Sequence, residues 1–207
     1  MRLQPIVEGH GEVEAFPILL RRLVMAAEAW NVTINTAVRQ PRGRLVKQQG
    51  LTHAIRLART SNCQAMLVLI DGDDDCPAEL GPRLQEWADA EMPDIPCEVV
   101  IAHREYEAWF LAAAASLRAQ CGIRADAPAH PHPESPRDAK ARLEARMVAG
   151  RTYLETLAQP RMSAAFSLAQ AWQASRSFRK LASSFGALLA QTGHPTGAWP
   201  PASWKSP

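Results

Sequence analysis

The sequence predicts an α/β protein: a mainly parallel sheet flanked by helices, followed by a helical C-terminal extension. Three observations predict it. Residues 65–70, Ala-Met-Leu-Val-Leu-Ile, are apolar without alternation, which suits a strand buried on both faces of a parallel sheet. Shorter β-like runs at 3–7, 32–38 and 98–102 are separated by stretches of helical periodicity, the alternation that builds βαβ units. Three of the four runs are followed closely by acidic residues, and in open α/β sheets the ligand site lies beyond the carboxyl ends of the strands.

Taken in order, residues 3–7 form a first strand ending in Glu8-Gly-His-Gly11. Residues 12–27 then read as a helix, with Val13, Phe16, Leu19, Leu20 and Leu23 at helical spacing and Pro17 as a kink or late start. The two glycines allow a tight turn whose amides could hold an anion. After the run at 32–38, Arg42, Arg44 and Lys47 sit around Gly43 with Arg39; they could cradle a phosphate or simply line a solvated loop. A helix over 51–58 leads back to the central strand.

That strand ends in Asp71-Gly72-Asp73-Asp74-Asp75. In extended backbone Asp71 and Asp73 point the same way. Carboxylates so crowded repel unless a cation sits among them, and Mg²⁺ prefers oxygen ligands. A helix over 78–91 carries Leu80, Leu84 and Trp87 on one stripe. The strand at 98–102 runs into His103-Arg-Glu105-Tyr-Glu107-Ala-Trp109. One of Glu105 and Glu107 is expected to face the cluster while the other caps a helix, and Trp109 is expected in a seam with the C-terminal helices.

Four prolines between 128 and 136 predict an exposed linker over 121–136. Ser135 and Pro136 read as cap and first turn of the next helix. Helical pattern then fills 137–192, and 193–207 reads as a loosely held arm. The domain reading is therefore 1–120 for the metal-binding domain, with linker, helical extension and tail after it.

Composition is globular, 47% hydrophobic and 21% charged, with a net charge of +2. That charge is divided unevenly: residues 1–120 carry −4 and residues 121–207 carry +6. An acidic first part beside a basic second part suits a metal site next to a polyanion surface, and equally suits two halves that attract each other. No signal peptide and no apolar run near the ~20 residues of a membrane span is expected here. The four cysteines lack C-x-x-C or zinc spacing and read as reduced cytoplasmic thiols.

With these pieces in hand, the chain resembles a family of uncharacterised bacterial Toprim-like proteins. The resemblance rests on Val7-Glu8-Gly9, Asp71-Gly72-Asp73 and Glu105-Tyr-Glu107-Ala-Trp-Phe-Leu, with Ala139-Lys140 and Ser177-Phe-Arg-Lys-Leu further on. It implies a Toprim-like (Rossmann-like) fold similar to that of topoisomerases, bacterial primases and the overcoming-lysogenization-defect nucleases. It also implies Mg²⁺ or Mn²⁺ held by Glu8, Asp71 and Asp73 for phosphodiester chemistry; Asp75, Glu105 and Glu107, read from their places after the strands, are candidates for a second metal or for outer support. Arg42, Arg44, Lys47 and Lys140 would hold substrate phosphates. The expected function is a DNA nuclease (RNA second) in phage defence; no Walker motif is present, so the P-loop ATPase companion of such systems would be a separate protein. A homo-oligomer is also compatible. The alternative is a non-catalytic subunit that binds that ATPase or nucleic acid. One departure is Ser167, where the resemblance implies an acidic residue.

Overall fold

The computed structural model describes residues 1–60, 62–194 and 196–205. Among them, β1 (Arg2–Val7), β2 (Thr33–Ile34), β3 (Val38–Arg39), β4 (Ala65–Asp71) and β5 (Cys97–Ala102) form one sheet in which every pairing is parallel. The order is β2-β1-β4-β5, with β3 also on β1. All seven residues of β4 are buried, as the unbroken apolar run requires of a central strand.

Side chains alternate across this sheet. Leu67, Leu69, Val100 and Ala102 face α1 (Glu12–Ala26) and the C-terminal helices. Met66, Val68, Ile70, Val99 and Ile101 face α3 (Gln48–Ala58) and α4 (Pro77–Glu91). Each covering helix presents a stripe at helical spacing: Leu51, Ala54, Ile55 and Ala58 on α3, and Leu80, Leu84 and Ala88 on α4. Helix α1 runs through Pro17 from Glu12 onward.

The single strand expected at 32–38 is instead two two-residue strands on β1. Buried Gln4 is the reason: its Nε2 donates to Thr36 O at 2.8 Å, and its Oε1 accepts from Asn35 Nδ2 at 3.1 Å. The side-chain amide takes up polar groups of the segment between the two strands. The basic loop that follows contains a short helix, α2 (Arg42–Leu45).

Strand β5 forms one edge of the sheet. There Gln85 of α4 donates Nε2 to Cys97 O at 2.6 Å and accepts from Val99 N at 2.8 Å.

After β5 come α5 (Glu107–Ala112), a 3₁₀ turn (Ala114–Leu117), α6 (Ala139–Glu144), α7 (Glu155–Ala165), α8 (Leu168–Ala174), α9 (Arg176–Gln191) and α10 (Ala202–Lys205). Their apolar faces merge with the sheet core. Trp109 is fully buried, 4.9 Å from the Tyr106 ring and 5.5 Å from Phe178, and donates Nε1 to Ser177 Oγ at 2.8 Å. Arg22 of α1 donates to Ser163 O and Phe166 O, fastening the end of α7. Ser167 caps α8, its Oγ accepting from Gln170 N.

Three sequence expectations change here. The proline-rich stretch is anchored, because the Glu134 carboxylate accepts from Ser175 Oγ, Ser177 Oγ and the N–H groups of Arg176 and Ser177 at the start of α9. Helix α6 starts at Ala139 instead of at Ser135, since the chain before it is committed to that anchorage. The tail is docked: Trp199 donates Nε1 to Ala182 O at 2.7 Å, and Trp204 is buried against Trp199 and Phe178. Indole rings seated in the core outweigh the irregular backbone around them. No helix among the described residues is long and apolar enough to cross a membrane.

Candidate functional site

Four carboxylates gather where β1 and β4 end. Glu8 follows β1, Asp71 closes β4, Glu12 opens α1 and Glu107 opens α5. Asp71, Glu12 and Glu107 are buried and Glu8 is half-buried. Burial pushes the Asp71 carboxyl well above its ordinary range, and the charges of Glu12, Glu107 and Glu8 push it further, with Lys140 opposing. Burial likewise raises Glu8 to about 7, helped by the charge of Asp73 and opposed by Arg42. Glu12 rises to about 8 through burial and the charges of Glu8 and Glu107, against the N–H bonds it accepts. Glu107 is also raised by burial, despite Lys140, Gln159 and Tyr153.

Each carboxylate has its own support. Asp71 Oδ1 accepts the Tyr106 N–H at 2.8 Å. Glu12 Oε2 accepts from Glu8 N at 3.2 Å and Gly9 N at 3.1 Å. Glu107 Oε1 accepts from Tyr153 Oη at 2.8 Å and Gln159 Nε2 at 2.9 Å. Oε2 of Glu8 and Oε2 of Glu107 are buried with no hydrogen-bond partner, an expensive state for a polar atom. Lys140 stands among these acids with Nζ 3.0 Å from Glu155 Oε2. Burial works against its charge, but Glu107, Glu155 and Asp71 together raise its pKa.

Asp71 and Asp73 do not lie side by side as the extended reading expected. The strand ends at Asp71, and Asp73 takes φ +48°, a left-handed conformation that aspartate tolerates. Its side chain is 55% exposed and pairs with Arg42 Nε at 3.1 Å. Asp73 therefore lies at the rim of the cluster, near enough for Glu8 to feel its charge.

Arg42 clamps this turn. Its Nε donates to Asp71 O at 2.9 Å, its Nη2 donates to Gly72 O at 3.0 Å, and it pairs with Asp75 as well. Those bonds leave Arg42 and Asp75 engaged with each other and with the turn, away from the expected roles in phosphate and metal binding. Arg44 and Lys47 are exposed and carry no ion pair among the described residues. Of the two glutamates after β5, Glu107 enters the cluster. Glu105 accepts the Lys140 N–H at 3.0 Å and so caps α6.

Sequence reasoning missed Glu12 as a site residue. Its signal was present in the spacing Glu8-Gly-His-Gly-Glu12, two carboxylates on either side of one strand-to-helix turn. Tyr153, Glu155 and Gln159 come from α7 and the chain before it, and nothing local in the sequence marks them. The second glycine of the turn serves this contact: a Cβ at Gly11 would stand 2.2 Å from Gln159 Oε1. The turn's N–H groups at Glu8 and Gly9 go to the Glu12 carboxylate and not to an external anion.

The donor chemistry fits a hard cation: all oxygen, strongly acidic, with two orphaned buried oxygens. The side chains do not enclose one, and no group of three His, Cys, Asp or Glu among the described residues is disposed to hold a metal ion. A separate cavity of about 690 Å³ lies between α4, β5 and the start of α9, lined in part by Cys76, His103, Arg176 and Lys180. It does not include the four carboxylates.

Fold and site together define an α/β protein with a buried acidic cluster at the carboxyl end of a parallel sheet. The chain belongs to the family described as Domain of unknown function (DUF4276), whose model matches residues 7–185. No curated protein matches it, and no solved structure does.

Proposed function

We propose that the protein is a divalent-metal-dependent nuclease that hydrolyses phosphodiester bonds of DNA ahead of RNA. One observation carries this reading: Glu8, Glu12, Asp71 and Glu107 converge at the carboxyl end of the sheet, where burial raises all four and neighbouring carboxylates raise Asp71, Glu12 and Glu8 further. Such crowding is costly to the empty protein and is relieved by a cation. The same four residues are the ones that would hold Mg²⁺ or Mn²⁺, with Asp73 at the rim. A bound ion there would supply Lewis-acid polarisation of a phosphate and a water acidified toward neutral pH.

The chain's own groups have definable tasks. The Tyr106 N–H fixes the Asp71 carboxylate, and Tyr153 with Gln159 fixes one oxygen of Glu107 while leaving the other free. Lys140 balances the charge of the cluster. In the metal-free protein Glu8, raised to about 7, holds a proton that a bound cation would displace. The cytoplasmic, phage-defence setting and the separate P-loop ATPase partner belong to this reading through the Toprim-like resemblance.

The test incubates the purified protein with plasmid and with RNA in Mg²⁺, Mn²⁺ or EDTA, alone and with any ATPase that co-purifies. Wild type is expected to cut with metal, and Asp71→Asn to lose that activity. A second reading, a non-catalytic subunit that serves a partner ATPase, is favoured by the absence of a closed three-donor group among the described residues. No cutting under any of these conditions would put that second reading first.

A further inference from the structure

A second charged assembly lies away from the acidic cluster. Arg118, Arg124, Arg142, Arg146 and Arg151 come together with His130 where residues 118–130 meet α6 and the chain just after it. The backbone ties them: Arg124 N donates to Arg146 O at 3.0 Å, and Ile123 bridges both Arg118 and Met147. Arg146 donates Nη1 to Arg142 O at 2.7 Å and Nε to Pro128 O at 3.0 Å. Arg118 donates Nε to Ala127 O at 2.9 Å, and a Cβ at Gly122 would stand 3.4 Å from Arg151 Cδ.

The positive charges act on one another. Burial lowers Arg146, and the charges of Arg142 and Arg124 lower it further; His130 is lowered by burial, Arg146 and Arg142. Acidic relief is thin. Asp126 stands 3.7 Å from Arg124 and Asp138 stands 3.2 Å from Arg142, both pairs largely in solvent. Nε of Arg124 makes no hydrogen bond, and the Asp126 carboxylate at 3.7 Å is its ion-pair partner. Like charges gathered this way destabilise the fold unless a polyanion neutralises them.

We infer that this arginine cluster is a binding surface for the phosphodiester backbone of nucleic acid, set beside the acidic site. The inference rests on the nuclease reading for its choice of polyanion. Helix α6 links the two places: Lys140 faces the carboxylates, whereas Arg142, two residues on, projects from the other side of the helix. A helix is only about 10 Å across, so α6 sets the two places side by side. The bonds to carbonyl groups hold Arg118 and Arg146 in place, and the half-exposed guanidinium groups of Arg124 and Arg142 are available to phosphates.

The experiment measures binding of a fluorescein-labelled 20-base-pair DNA duplex by anisotropy, in EDTA, over a range of salt concentrations. The double variant Arg124→Gln/Arg142→Gln is expected to bind on the order of tenfold more weakly, with a log K against log salt slope shallower by about 2. Arg151→Gln, an exposed single change, should lower the slope by about 1. Arg56→Gln, on α3 across the sheet and paired with Glu91, should leave the slope of wild type largely unchanged. A folded double variant that binds like wild type overturns the inference, as does a wild type that fails to bind duplex at low salt; if the double variant does not fold, Arg151→Gln decides in the same way. The metal reading is followed separately, by the Mn²⁺-induced rise in melting temperature. Loss of that rise with duplex binding intact rejects the metal site and leaves the arginine surface standing.

Discussion

Glu12 reaches back across the turn it follows, its Oε2 accepting N–H bonds from both Glu8 and Gly9. One carboxylate therefore ties the end of β1 to the start of α1 while adding negative charge to the cluster. The two roles separate by substitution. Glu12→Gln keeps an acceptor oxygen and loses the charge, so it should fold, gain stability in EDTA at pH 8, and lose Mn²⁺-dependent stabilisation. Glu12→Ala leaves two N–H groups unpaired and should cost about 1–3 kcal/mol. Denaturant unfolding of both variants with and without Mn²⁺ checks this.

Stability should depend on pH in a defined direction. Glu8 and Glu12 have folded-state values of about 7 and about 8, raised from 4.5, so the folded protein binds more protons than the unfolded chain between those limits. Stability of the metal-free protein should accordingly fall as pH rises from about 4.5 through about 8. Mn²⁺ should flatten or reverse the fall. Melting temperatures at pH 5.5 and 8.5, in EDTA and in Mn²⁺, measure it; a metal-free protein more stable at pH 8.5 would contradict the crowding.

Asp71→Asn should abolish metal-dependent cleavage and preserve the fold. Asparagine retains the oxygen that accepts the Tyr106 N–H and removes one charge from the repelling group, so the melting temperature in EDTA should hold or rise. A normally folded variant that still cuts would exclude Asp71 from the mechanism.

Arg42→Ala should act on the turn and not on substrate affinity. The guanidinium supports the carbonyl groups of Asp71 and Gly72 and pairs with Asp73 and Asp75. Its loss should cost about 1–3 kcal/mol and slow cleavage, with duplex binding in EDTA unchanged. Weaker binding with unchanged stability would instead assign Arg42 to the phosphates.

Much of this was legible in the chain. The run 65–70 announced a central strand because a doubly covered strand cannot alternate, and acidic residues after strands marked the end of the sheet where the carboxylates gather. Glu107 and Glu105 divide between cluster and cap as their spacing allowed. The less legible parts depend on distant partners. Asp73 looked equivalent to Asp71 until the left-handed turn and Arg42 drew it outward. Glu12 is only the first residue of a helix in the sequence, and its bonds to the turn appear in the fold. Glu134 and the two docked tryptophans found partners more than fifteen residues away, beyond any local pattern.

Gln85 has a consequence for how this sheet ends. An edge strand presents a row of open donors and acceptors on which another chain can grow, the route to aggregation. Gln85 fills the first positions of that row on β5 with a side-chain amide, offering one donor and one acceptor in the order a neighbouring strand would. The next part of the edge, at Val99 and Ile101, faces a groove that α4 and the start of α9 flank. A strand from another molecule meets a plug at one end and helices on both sides. At this edge a single glutamine and two helices thus guard the open sheet against fibre-like growth, with the Glu98–Lys180 ion pair beside them.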